Sequence, residues 1–293
     1  MERLVWFFAN CGQSFYSLIK IFFLSKKFSK LKETQKTHDQ ILILGNGPSM
    51  KEKLDDPNLF DKLKSLDLLC VNHFCESDYY SDLKPKLYIH AAPEMYQDNV
   101  NDEIENKRQI FWDTLVEKTD WELDFFIPYL ARKNDFWLKK VSANPKIKVH
   151  YYNIIALEGF EGLVHWMYNR GLGMPRVHNI IGYSIMNMIR LNYKTIYLTG
   201  VEHSWLNELS VTKDNVALVG QPHLYDPNRK PDVMYKNGVS ARKLHEILHK
   251  FYVTFKGYWA IKKYADKKSV KIYNLTQDSF IDAFDRKDLS EIL

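Results

Sequence analysis

Apolar side chains recur through the first 24 residues at helical spacing: Leu4, Val5, Phe7, Phe8, Cys11, Phe15, Leu18, Ile19, Phe22 and Phe23, with Asn10, Gln13, Ser14, Ser17 and Lys20 on the other side. This predicts an amphipathic helix. From His38 the pattern changes to short apolar runs alternating with charged, helix-prone stretches. Ile41 to Leu44 is wholly apolar and ends in Gly45-Asn46-Gly47-Pro48-Ser49, and further strands are expected at Asp67 to Val71, Lys86 to His90, Lys146 to Tyr151, Thr195 to Thr199 and Val270 to Asn274. Continuous apolar strands belong to parallel sheets covered on both faces. Helices are expected near Phe60 to Ser65, Glu103 to Lys118, Phe160 to Asn169, Gly182 to Asn192 and Ala241 to Lys267. No internal repeat or Ser/Pro-rich linker divides these elements. The pattern predicts an α/β chain with a single Rossmann-like, doubly wound parallel sheet over residues 38–293, preceded by a helical segment at 1–37. The stretch from Trp205 to Gly238 is rich in Asn, Pro, Asp and Gly. A stretch of that length inside a domain predicts a functional lid, about residues 205–238.

Composition narrows the classes. With 45% hydrophobic residues in 293, the chain can fill a core, and 12 Gly and 10 Pro are too few for a fibrous or low-complexity protein. The three cysteines, Cys11, Cys70 and Cys75, are too few for a disulfide scaffold and point to a reducing compartment. The formal charge of +5 is carried by residues 1–37, where Arg3, Lys20, Lys26, Lys27, Lys30, Lys32 and Lys36 face only Glu2 and Glu33. The rest is balanced, so no nucleic-acid partner is expected. An aromatic helix face followed by a lysine cluster fits an anionic lipid surface, and residues 1–37 read as an in-plane membrane anchor. Asn10 to Ser14 and Lys20 interrupt a spanning run, and no small-residue cleavage site follows. Two alternatives are a helix packed on its own domain or a partner subunit, and a signal-anchor.

The chemistry gathers behind the strands. Pro48 is placed to be the first residue of a helix, and free amides at such a helix start favour a phosphate. Asn46, Asn72, His90 and Glu202-His203-Ser204 all follow predicted strands, the edge where open parallel sheets bind ligands.

Four blocks, Leu42-Ile43-Leu44-Gly45-Asn46-Gly47-Pro48-Ser49, Cys70-Val71-Asn72-His73-Phe74, Asn192 to Gly200, and Lys271 to Thr276 with Ser279 to Phe284, occur in an order that resembles the bacterial sialyltransferases of glycosyltransferase family 42. The same turn is shared by a wider group that includes motility-associated flagellin glycosylation factors and 3-deoxy-octulosonic acid transferases. The resemblance covers about residues 38–293. It implies transfer of a sialic-acid-like or other acidic sugar from a CMP-activated donor to a glycan of a capsule, O-antigen or lipooligosaccharide. Under it, Gly45, Asn46, Gly47, Ser49 and Asn72 contact the nucleotide, and Arg176 and Asn179 match an Arg-x-x-Ser element near the donor. His223, the only histidine between His203 and His245, takes the role of general base, and Tyr225 that of a lid contact to the donor phosphate. Glu202 and His203 orient acceptor or base, or merely close the turn.

A histidine suits proton removal near neutrality. No Asp-x-Asp occurs in the chain, as expected of an enzyme whose donor carries one phosphate and needs no metal or other cofactor. His245 and His249 stand one helical turn apart but lack a third ligand at metal spacing. Lys262-Lys263 and Lys267-Lys268 read as a solvated helix end, and the Asn274-Leu275-Thr276 sequon is idle in a reducing cytosol. The expected partners are the CMP-sugar, a lipid-linked or oligosaccharide acceptor and the cytoplasmic face of the inner membrane, with a homo-oligomer left open. A pterin diphosphokinase-like enzyme and a non-catalytic nucleotide-binding membrane scaffold are the competing readings.

Overall fold

Side chains of one strand leave a sheet alternately on its two faces, and in the first strand, β1 (Gln40–Leu44), both sets are apolar. Ile41 and Ile43 enter one buried core while Leu42 and Leu44 enter another, so the strand is covered on both sides. The computed structural model describes residues 1–26, 34, 36–98, 100–220, 224, 230–236 and 240–292. Helix α1 (Glu2–Leu24) precedes β1. After it come α2 (Met50–Asp55), α3 (Pro57–Leu63), β2 (Asp67–Val71), α4 (Tyr80–Leu83), β3 (Leu87–Ile89), α5 (Asp102–Lys118), β4 (Leu123–Pro128), α6 (Phe136–Val141), β5 (Ile147–Tyr152), α7 (Glu161–Asn169), α8 (Ile180–Arg190) and β6 (Thr195–Thr199). The chain closes with α9 (Leu244–Lys267), then two strands, Lys271–Asn274 and Asp285–Arg286, that complete the sheet.

All eight strands of the central sheet are parallel. Helices α7, α8 and α9 supply residues such as Met167, Ile185 and Ile261 to one core; α2, α5 and α6 supply Met50, Phe111 and Trp137 to the other. This is the doubly wound, Rossmann-like sheet that the apolar runs predict. Between β6 and α9 lies the stretch expected to form a lid. The lid stretch is not structureless: β7 (Leu209–Val211), β8 (Ala217–Val219) and β9 (Asp232–Val233) form an antiparallel sheet of their own, and β10 (Tyr235–Lys236) pairs with β11 (Ser240–Ala241). Ala217 and Val219 bury against Ile247 and Phe251, which anchors this small sheet on α9. The last two strands of the central sheet are then β12 (Lys271–Asn274) and β13 (Asp285–Arg286).

The segment before β1 is fastened to the amino edge of the sheet by Asp67, which is fully buried at the start of β2. Its carboxylate accepts from the Thr37 amide (2.9 Å) and hydroxyl (2.6 Å), the His38 amide (3.1 Å), Lys86 Nζ (3.0 Å) and the Tyr193 hydroxyl (3.0 Å). Burial alone would raise its pKa, but the bonds from Thr37, Lys86 and His38 outweigh burial and hold it well below the usual carboxylate range. Asp67→Asn should therefore lower the unfolding free energy by about 2 to 4 kcal/mol at neutral pH, measured by urea titration. A depressed folded-state pKa stabilises above the unfolded value of about 3.9 and loses that stabilisation in more acid solution, so the gap between variant and wild type should close below that pH.

Candidate functional site

From β1 the chain builds outward through β2, β3, β4 and β5, then returns to lay β6 on the opposite side of β1, followed by β12 and β13. The reversal falls between β1 and β6, and a crevice in such a sheet lies beyond the carboxyl ends at that point. Two segments meet there. The Gly45 amide donates to the Thr199 carbonyl at 2.8 Å and the Gly47 amide to the Gly200 carbonyl at 2.9 Å. A Cβ on Gly45 would stand 2.2 Å from the Gly200 oxygen, and Gly200 itself has φ +66°.

The helix start above β1 differs from expectation. Pro48 lies in a turn, and α2 begins at Met50 with Ser49 as its cap. The Ser49 amide is not free, because it donates to Glu202 Oε1 at 3.0 Å. The other carboxylate oxygen lies where a Cβ on Gly47 would fall, 1.5 Å from it, so a side chain at 47 would displace Glu202. Glu202 thus closes the turn with an anion of its own. Beside it opens a cleft of about 480 Å³ lined by Ser49, Lys53, Glu202, Thr276, Asp278 and Asp288. Lys53, which the sequence pattern did not single out, donates to Thr199 Oγ1 (2.8 Å) and to the Leu275 carbonyl (3.1 Å), and burial lowers its pKa.

Nine buried side-chain polar atoms of the described residues lack a hydrogen-bond partner, and five of them lie at or beyond strand carboxyl ends: Asn46 Oδ1, Ser49 Oγ, His90 Nε2, Tyr96 OH and Asn274 Nδ2. An unsatisfied buried group costs about 1–3 kcal/mol, and native proteins keep few of them. Five of the nine thus gather on one edge of the sheet, where water or a polar ligand can reach them. The polarity of two is fixed. Asn46 Nδ2 donates to the Val71 carbonyl at 3.1 Å, leaving Oδ1 as an acceptor. His90 Nδ1 faces the Ala92 amide at 3.3 Å, leaving Nε2–H as a donor, and burial keeps the ring neutral. Asn72, between them after β2, has the left-handed φ of +50° that asparagine tolerates.

The segment after β6 carries His203, also left-handed at φ +49°. Its ring stacks on Trp205 (4.3 Å between centroids) and on Tyr258 of α9 (5.7 Å). Its tautomer is set by a helix cap. Asn179 caps α8, its Oδ1 accepting from the Gly182 amide at 2.9 Å, so that oxygen cannot donate. The Tyr258 hydroxyl must therefore give its one proton to Asn179 Oδ1 (2.9 Å) and accept from His203 Nδ1 at 3.0 Å. With Nδ1 protonated, Nε2 keeps the lone pair, and it hydrogen-bonds no described residue. Burial lowers the ring's pKa to about 3, so this acceptor stays unprotonated at neutral pH.

The remaining expected site residues divide. Arg176 is exposed just before α8, and Asn179 is committed to the cap and to Tyr258. His223 and Tyr225 lie outside the described residues. Leu224, between them in sequence, is buried, and its amide donates to the Asn46 carbonyl at 2.7 Å, which ties this position to the turn after β1. Tyr96 and Tyr258 were missed because a tyrosine in an apolar helical or loop pattern reads as core. His245 and His249 are exposed on α9, away from these groups' hydrogen-bond network.

The strand order and this edge define a Rossmann-like α/β protein with its crevice at the topological switch point. No family model matches the chain, and no curated protein matches it. Among solved structures it is similar to the MAf glycosyltransferase from Magnetospirillum magneticum AMB-1, with a TM-score of 0.47 at 11% identity over 97% of this chain and 39% of that one. The chain spans about two fifths of the length of that structure.

The relay has a direct spectroscopic consequence. Tyr258→Phe removes the acceptor for Nδ1–H, so the ¹⁵N imidazole signals of His203 should move from the Nδ1–H tautomer toward Nε2–H. An unchanged spectrum in the folded variant would break the chain of inference from Asn179 to His203.

Proposed function

We propose that the chain is a glycosyltransferase that moves a sialic-acid-like or other acidic sugar from a CMP-activated donor to a glycan hydroxyl by direct displacement, without a metal bridge. The observation that carries this reading is the fixed, unprotonated Nε2 of His203 at the same sheet edge as the unsatisfied groups of Asn46, His90 and Ser49. The ordered sequence blocks that resemble family 42 supply the donor class. In the displacement the acceptor oxygen bonds to the anomeric carbon, the bond from that carbon to the CMP phosphate oxygen breaks, and the hydroxyl proton passes to histidine Nε2. CMP leaves with the bonding pair.

A carboxylate at the helix start repels phosphate and accepts from hydroxyls, so Glu202 suits the ribose, as acidic residues do in other dinucleotide crevices. The exposed guanidinium of Arg176 is then the cation for the phosphate on which charge accumulates. We assign the base role to His203, with His223, the base that the family resemblance implies, as the alternative.

Four measurements test the proposal. His203→Ala should lower turnover about 10²- to 10⁴-fold with CMP binding nearly unchanged, and His223→Ala should do less. A base with a pKa of about 3 predicts a kcat/KM that stays level as pH falls through 6.5, whereas a solvated lid histidine predicts a fall there. CMP should raise the melting temperature, and transfer should persist in excess chelator. Absence of stabilisation by CMP would sink the donor assignment; loss of activity only in His223→Ala would move the base to the lid.

A further inference from the structure

Helix α1 sits on the domain the unusual way round. Its small polar side is the buried one: Ser17 Oγ donates to the Glu158 carbonyl (2.7 Å) and accepts from the Glu158 amide (2.9 Å), Ser14 Oγ accepts from the Phe160 amide (2.9 Å), and Lys20 reaches the Ala156 carbonyl. The fit is close enough to demand glycine at 159, where φ is +132° and a Cβ would lie 2.2 Å from Ser14 Oγ. At the helix end Asn153 Nδ2 holds the Lys26 carbonyl at 2.9 Å. These contacts fix the rotation of the helix about its axis: Trp6 and Phe7 touch Phe160 and Ile21 packs on the core, while most of the other apolar residues point away from the protein.

Leu4, Phe8, Phe15, Ile19, Phe22 and Phe23 are exposed, Phe22 at 81% and Phe23 at 70%. At 100° per residue, they and their apolar neighbours span an arc of about 160°, on a helix about 34 Å long. Such an arc is wider than the narrow seam that one partner helix covers, and it suits a continuous apolar medium. No described helix is long and apolar enough to cross a membrane. Charge selects the medium further, since Glu2 is the only acidic residue among the first 32, against Arg3, Lys20, Lys26, Lys27, Lys30 and Lys32. We propose that α1 is a docked, bilayer-facing ridge that seats the protein in the plane of an anionic lipid surface.

The place of docking adds a second step, which rests on the transfer proposed above. Residues 156–160 follow β5, beyond its carboxyl end, and Lys20 is close enough to Arg176 for the two charges to interact. The helix thus docks at the same carboxyl edge of the sheet as the crevice, at its β5 end, and in this proposal the bilayer lies along that edge. The acceptor class this geometry fits is a glycan carried on a lipid.

The full chain should sediment with vesicles of equal parts phosphatidylglycerol and phosphatidylcholine, bind pure phosphatidylcholine more weakly, and release in high salt. Phe15→Glu with Phe22→Glu, both at exposed positions, should abolish sedimentation while leaving the melting temperature and CMP binding unchanged. Serine substitutions at the same positions provide a variant without added repulsion, and should weaken binding in the same direction. If the full chain ignores both vesicles and light scattering shows a dimer that Phe15→Glu disperses, the ridge is an interface between copies and the proposal is overturned. Vesicle binding is read without substrate, so it stands or falls independently of transfer. The acceptor step is read separately: an active enzyme that turns over a water-soluble glycan no more slowly than the same glycan on a lipid in anionic vesicles would overturn that step alone.

Discussion

Beyond their last paired residues, β1 and β6 stay in contact only because neither chain carries a Cβ at the meeting point. Gly45 and Gly200 let two backbones cross within hydrogen-bond distance, and Met50 of α2 fills the space a side chain at 200 would take. That approach brings the turn after β1 and the segment after β6 together, so that a carboxylate from one can cap the helix start of the other. The positions of Glu202, His203 and the cleft beside Lys53 all follow from it. A methyl group at Gly45 would meet the Gly200 carbonyl and one at Gly200 would meet Met50 of the core, so either would break this approach.

The sheet itself was legible because its central strands are apolar on both faces: β1, β2 and β6 lie where the runs Ile41 to Leu44, Asp67 to Val71 and Thr195 to Thr199 place them. β4 was not legible. Its run Leu-Asp-Phe-Phe-Ile-Pro carries a charge at Asp124, which ends an apolar pattern when the sequence is read alone. In the fold that charge meets His150 of β5 at 2.5 Å, a cross-strand partner that one-dimensional spacing cannot supply. The strands β7, β8 and β9, two or three residues each, are shorter than any periodicity can register.

At the site, the sequence located the edge but not the wiring. Asn46, Asn72, His90 and His203 could be found because each follows a strand, whereas Tyr258 lies in the middle of α9, where a tyrosine among Val253, Tyr264 and Ile261 looks like core. It is core by burial and polar by its hydroxyl, and only the three-dimensional meeting of α8, α9 and β6 shows that one oxygen links a helix cap to an imidazole. In α1 the pattern gave the helix and its two sides, but which side meets the protein depended on Gly159, a residue far off in sequence.

The strand order also governs when the crevice comes into being. β1 takes β2 as one neighbour almost at once, but its other neighbour, β6, emerges about 150 residues later, several seconds or more at ordinary rates of synthesis. Helix α1 waits nearly as long for residues 156–160. The growing chain therefore presents its aromatic ridge and an open strand edge together, and a nascent chain that touched a lipid surface early would have that ridge sequestered while the sheet waited for β6. β6 adds one wall of the crevice and Thr276, Asp278 and Asp288, which line the cleft, follow later still, so the ribosome-bound chain has no binding site until more than about two thirds of it has been made.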